Sequence, residues 1–349
     1  MIGLSTHPWL SGLFGDAKIA AIFEPEAELQ RFLTVEAAWA AAMGKVAGQD
    51  VTAVVDKIKA AAIKPADLLE GCAKDGVPIP ALVRLLKEHV GEDNTVWVHQ
   101  GLTSQDVIDT ALVLAVSQVL SMLMLRLKAR DGKLTALSGQ HAQVRLMAYT
   151  RMQPALETSA PDVIARWRQP VASLIARAAE AEAGVKQVQY GGPIGARDHP
   201  NASKLGAAFA QALELRDAGA AWHTERRSLV LVANVLAEIT TLTGKIGADV
   251  ALMAAVGPEQ IALSGGGSSA MSHKTNPVSA EVLTALSDHA IALHANMLRA
   301  ARHEGFRSGH AWTLEWLTLA PLCTTAGASL LRAGELLESI QTIGRVEGA

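Results

Sequence analysis

Between Ala111 and Leu125 the chain reads ALVLAVSQVLSMLML, with only Ser117, Gln118 and Ser121 polar. A helix with no polar face needs neighbours on every side. The run is shorter than the roughly 20 residues that cross a bilayer, and Asp109 and Arg126 flank it closely. It therefore reads as a helix inside a bundle, with other subunits among its neighbours. Five segments carry long apolar-periodic patterns, at roughly 105–143, 156–188, 226–255, 277–303 and 313–340. Five long helices make an elongated bundle, and the expected class is all-α.

The first hundred residues differ. Pro25, Pro65, Pro78 and Pro80 break them into short helical patterns, such as the one from Glu24 to Val46. The expected division is a small helical N-terminal domain, 1–100, and a long-helix bundle domain, 101–349. Pro170 falls inside the second long segment and is expected to kink it. No alternating pattern is long enough to build a sheet, and there is no internal repeat.

With 50% hydrophobic residues but only 4% aromatics, the chain favours close helix packing. A net charge of −3 without any dense Lys/Arg run argues against nucleic acid or an anionic membrane as a main partner. Cys72 and Cys323 lie far apart with no metal-ligand spacing, so neither a disulfide framework nor a metal site is expected. The N-terminal stretch lacks a basic start followed by an apolar run, so no signal peptide is expected and the setting reads as cytoplasmic.

Three polar loops interrupt the apolar pattern. In VWVHQGLTSQDVIDT, Val96 to Thr110, either Thr103 or Ser104 can cap the following helix. The other hydroxyl, with His99 and Gln105, is left at a helix N-terminus, where free N–H groups favour an anion. In AYTRMQPALE, Ala148 to Glu157, Thr150, Arg151 and Gln153 read as preceding a helix with Pro154 in its first turn. Arg151 could hold a carboxylate by two parallel hydrogen bonds, or be a solvated charge.

The third loop is GGGSSAMSHKTNP, Gly265 to Pro277. A P-loop would have a glycine where His273 precedes Lys274, and a strand before it. A serine nucleophile would need a neighbouring base that nothing in the spacing supplies. The loop reads either as a plain flexible connection or as a mobile lid. The lid would carry Ser268 or Ser269 for proton transfer and Lys274 and Asn276 as carboxylate donors.

GSSAMSHKTNP, Gly267 to Pro277, resembles the GSSxMPxKxNP signature of the fumarase/aspartase superfamily, with Ser272 in place of a proline. HQGLTSQDVIDTALVL and TRMQPA are similar to the family's first and second regions, so the resemblance runs from about residue 10 to 330. Arg151 stands where adenylosuccinate lyases carry histidine, and LTSQD fits neither argininosuccinate lyases nor fumarases. LFGD at Leu13, SQDVIDTALVL at Ser104, AWHTERR at Ala221 and WTLEWLTLAPLC at Trp312 resemble instead the 3-carboxy-cis,cis-muconate cycloisomerase branch.

That resemblance implies a homotetramer whose core of about twenty helices takes five from each subunit, with every active site shared by three subunits. A length of 349 residues leaves little room for the family's full C-terminal domain, so that domain is expected to be short or missing. The implied reaction closes a lactone on a small tricarboxylate through an aci-carboxylate, in aromatic catabolism, without metal or cofactor. Ser268 would transfer the proton, with Ser269 as the alternative, and Lys274 and Asn276 would hold the carboxylate that becomes the aci-acid. Thr103, Ser104, Thr150, Arg151, Gln153 and Met271 would complete the binding set. An adenylosuccinate lyase-like β-elimination is the alternative activity. His99 has two readings, substrate orientation or a structural role, and so does His223. His141 and the Trp312, Glu315, Trp316 cluster read as structural. His303-Glu304 begins like a family stretch, but Gly305 replaces its arginine; Arg307 would compensate.

Overall fold

The computed structural model describes residues 7–267, 271 and 274–345. We label its longer elements α1 (Pro25–Ala47), α2 (Ile79–Val90), α3 (Ser104–Gln140), β1 (Arg145–Thr150), β2 (Gln153–Ser159), α4 (Ala160–Val185), α5 (Ala202–Ala212), α6 (Arg227–Val256), β3 (Ile261–Leu263), α7 (Val278–Ala300), α8 (Gly309–Ser339) and β4 (Ile340–Ile343). The class is all-α, and the five helices of the bundle are α3, α4, α6, α7 and α8.

Long-range bonds fix their directions. Arg226, the residue before α6, binds Asp109 near the start of α3 and Glu315 near the start of α8. These three helices therefore run the same way. Helices α4 and α7 return: Gln189, just past α4, donates to Asp109, and His303, just past α7, feels the charge of Arg226. At 37 residues α3 is about 55 Å long. The bundle thus has an Asp109 end and an opposite end, where β1, β2, β3 and β4 lie.

Leu120, Leu123, Leu127, Trp167, Leu236, Ile239 and Leu322 pack the middle of the bundle. A second cluster joins α1 and α2 to the start of α3, around Trp39, Leu82, Leu86 and Val107. By length and composition α3 and α6 could each cross a membrane. Yet 67% and 61% of their most apolar windows are buried within this chain, as befits core helices.

The second long segment starts later than the sequence suggests, and this corrects the reading of TRMQP as a helix start. Residues 145–159 form an antiparallel hairpin instead, with Thr150 paired to Gln153 and Tyr149 to Pro154. Arg151 and Met152 make its two-residue turn, both left-handed at φ 49° and 65°. Such turns match the twist of the flanking strands. Pro154 is tolerated because a two-stranded ribbon has only edge strands. The helix begins four residues beyond the expected position 156, at Ala160, where the Ser159 hydroxyl accepts the Asp162 N–H at 3.2 Å. Pro170 lies inside the continuous α4.

Candidate active site

At the Asp109 end the chain gathers the first loop. Leu102 donates its N–H to the His99 carbonyl, closing a turn, and α3 starts at Ser104. The third helical residue, Asp106, reaches back to accept the Thr103 N–H at 2.9 Å, as in a capping box. The same buried carboxylate accepts the Gly192 N–H at 2.9 Å and faces His223 Nε2 at 2.8 Å. One acidic side chain so ties three loops together. Burial pushes the Asp106 carboxyl up, against the lowering effect of its hydrogen bonds to His223, Thr103 and Gly192. Only glycine fits at 191, since a Cβ there would fall 2.6 Å from His223 Cε1.

His223 is 3% exposed and its Nδ1 is buried without a partner among the described residues. It supports the loops from within rather than facing the open site. His99 is different: its Nδ1 lies 2.6 Å from Glu36 Oε1, and the ring keeps some exposure.

Beneath these loops lies a buried ion cluster. Arg226 grips Asp109 with two bonds, of 2.6 and 3.0 Å, and Glu315 with two more, of 2.5 and 3.0 Å. Trp312 and Gln189 donate to Asp109, each at 3.1 Å. Burial opposes the charge of Arg226, but the two carboxylates outweigh it and hold the guanidinium above its ordinary pKa. Burial pushes Glu315 up, with Arg226 pulling it down less strongly. Burial, followed by the repulsion of Arg226, holds His303 below the usual imidazole range. Arg307 donates to the Pro193 carbonyl at 2.9 Å, tying its loop to the stretch that carries Gly191 and Gly192.

The other expected binding residues sit at the opposite end. Thr150, Arg151 and Gln153 are exposed at the tip of the hairpin, and its apolar Met152 and Leu156 are 68% and 77% exposed. Met271 and Lys274 are exposed and Asn276 is half-buried. Gly266, at φ 72°, lets the loop close on itself: its carbonyl accepts the Asn276 N–H at 2.6 Å, and a Cβ would overlap the Asn276 carbonyl. Ser268 and Ser269 lie outside the described residues. About 55 Å of helix α3 thus separates His99, Thr103 and Ser104 from Thr150, Arg151 and Gln153. Within one chain these sets do not meet.

Among the described residues no cluster of three His, Cys, Asp or Glu side chains could hold a metal ion. A cavity of about 570 Å³, lined by Phe23, Phe32, Cys72 and Trp316 among others, lies between the N-terminal helices and the bundle. Its wall is mainly apolar, and none of the expected binding residues lines it.

Sequence reasoning did not find Glu36, Asp106, Asp109 or Arg226 as partners. The available signal was charge inside apolar patterns, such as the Glu in LTVEAAWAAA.

The chain belongs to the lyase family, whose model matches residues 18–291, and within it to the fumarate lyase superfamily. It is 32% identical to the 3-carboxy-cis,cis-muconate cycloisomerase of Pseudomonas aeruginosa over 340 residues, which cover 94% of this chain and 74% of that protein. The cycloisomerase of Acinetobacter baylyi is 28% identical, with 95% of this chain and 76% of that one covered. The crystal structure of the 3-carboxy-cis,cis-muconate lactonizing enzyme from Pseudomonas putida superposes with a TM-score of 0.89 at 27% identity, covering 96% and 77% of the two chains.

Proposed function

We propose that this chain is a cytoplasmic cycloisomerase that lactonizes 3-carboxy-cis,cis-muconate, or a close 3-substituted muconate, to 4-carboxymuconolactone. One observation carries the reading beyond the family resemblance. Donors suited to carboxylates stand at both ends of one bundle, and only neighbouring copies can bring the two sets together. A homotetramer with sites shared by three subunits accounts for that separation. It also gives the exposed apolar hairpin a partner to cover it.

In this reading His99, Thr103 and Ser104 of one subunit, Thr150, Arg151 and Gln153 of a second, and Met271, Lys274 and Asn276 of a third surround a tricarboxylate. The distal carboxylate oxygen attacks the carbon bearing the 3-carboxyl group, and the electron pair of the double bond moves onto the neighbouring carboxylate as an aci-acid. Lys274 and Asn276 stabilise that added charge. Ser268, or failing that Ser269, then delivers a proton to the alpha carbon. One proton is taken up in all, and no bond to a leaving group breaks. Holding the attacking arm near its carbon supplies much of the rate.

The test is spectroscopic. Purified protein mixed with 3-carboxy-cis,cis-muconate should bleach the diene absorbance. No bleaching, together with turnover of adenylosuccinate, refutes the assignment in favour of β-elimination.

A further inference from the structure

Helix α1 turns an apolar face inward, with Leu29, Phe32, Leu33 and Trp39 buried, and one residue of that face is charged. Glu36 is 0% exposed. A buried carboxylate is costly unless it is paired. Its Oε1 meets His99 Nδ1 at 2.6 Å, while Oε2 has no partner among the described residues. Three residues on, on the same side of the helix, the Trp39 indole N–H donates to the Gln100 carbonyl at 2.9 Å. One helix therefore grips two consecutive residues of the loop that leads to Thr103.

The grip holds His99 in a costly state. Its φ is 59°, in the left-handed region that residues with a Cβ mostly avoid. Strain of this kind persists where the surroundings over-determine a residue, commonly at sites of function. The contact with the carboxylate engages Nδ1. That leaves Nε2 at the other edge of a ring that is 16% exposed. The turn closed by the Leu102 N–H on the His99 carbonyl brings the His99 backbone to the start of α3, where Thr103 and Ser104 lie.

We propose that Glu36 is a positioning residue for anion binding. It fixes the His99 ring, with Nδ1 engaged by the buried carboxylate and Nε2 presented, beside Thr103 and Ser104, to one carboxylate of the substrate. The identity of that substrate rests on the cycloisomerase reading, whereas recognition of a carboxylate does not.

The experiment is a double-mutant cycle on the full-length protein, with fumarate as the probe. Fumarate affinity is measured by calorimetry for the wild type, Glu36→Gln, His99→Asn and the double variant; asparagine suits the left-handed backbone at 99. Each single change should weaken binding tenfold or more. The double variant should bind no worse than His99→Asn alone, because Glu36 acts through the ring. With 3-carboxy-cis,cis-muconate, Glu36→Gln should raise KM and leave kcat within about threefold. Wild-type affinity in Glu36→Gln overturns the proposal, and so do losses that multiply in the double variant or a wild type that does not bind fumarate. Should Glu36→Gln fail to fold, a crystal of the wild type soaked in fumarate decides instead. A carboxylate oxygen within hydrogen-bond distance of His99 Nε2 supports the proposal, and fumarate bound away from His99 overturns it. Fumarate binding that follows the cycle without turnover of the muconate sinks the cycloisomerase reading alone.

Discussion

Replacing Arg226 with methionine keeps most of its stem and removes the charge that holds two buried carboxylates. Four hydrogen bonds go, two to Asp109 and two to Glu315, and both acids are left 0–1% exposed with no cation. Breaking a buried pair in this way costs about 3–5 kcal/mol, mostly the penalty of the stranded charge. The stranded carboxyls relieve that penalty by binding protons in the folded state. Their folded pKa values then stand above the unfolded ones, near 4, so this contribution to stability is full below about pH 4 and is lost as pH rises. Each group changes stability by up to about 1.4 kcal/mol per pH unit in that window.

The deficit of Arg226→Met relative to wild type should therefore be largest near neutrality and shrink by about 2–3 kcal/mol toward about pH 5. Urea unfolding of both proteins at about pH 7.5 and about pH 5, at one subunit concentration, measures it. A loss below about 1 kcal/mol at neutral pH, or the same loss at both, refutes the cluster as described.

Three further outcomes follow from particular contacts. Asp106→Ala strands the N–H groups of Thr103 and Gly192 together with His223, and should cost about 3–5 kcal/mol in urea unfolding; Asp106→Asn keeps an acceptor and should cost about half as much or less. Gly206→Ala would place a Cβ 2.0 Å from Arg197 Nη2 and 2.2 Å from Asp217 Oδ2, splitting their bidentate pair, and should cost about 1–3 kcal/mol in the same assay. Arg151→Gly eases a left-handed turn position, so Tm should hold or rise slightly, while KM for the muconate rises about tenfold or more.

The bundle was largely legible in the sequence because apolar periodicity reports burial directly. Four helices start or end within about four residues of their expected limits, and α6 runs Arg227–Val256 against an expected 226–255. The failure at TRMQP has a local cause. A hydroxyl, an arginine and a proline before an apolar run look alike at a helix start and at a two-residue hairpin turn, and only backbone angles at Arg151 and Met152 separate them. The partners of the site were illegible for another reason. Asp109 and Arg226 are 117 positions apart, as are Asp106 and His223, and one sequence carries no record of such pairings. Glu36 left a trace, a charge among apolar neighbours on a buried helix face.

The account stands on a site that no single chain completes. Mixing separately inactive variants tests this most directly: Thr103→Val with Ser104→Ala removes the hydroxyls at one end of the bundle, and Lys274→Ala removes the cation at the other. When the two proteins are unfolded together and refolded as mixed tetramers, the shared site predicts that bleaching of 3-carboxy-cis,cis-muconate returns, because some sites then draw each loop from an intact subunit. Mixed tetramers that form and stay inactive would contradict it.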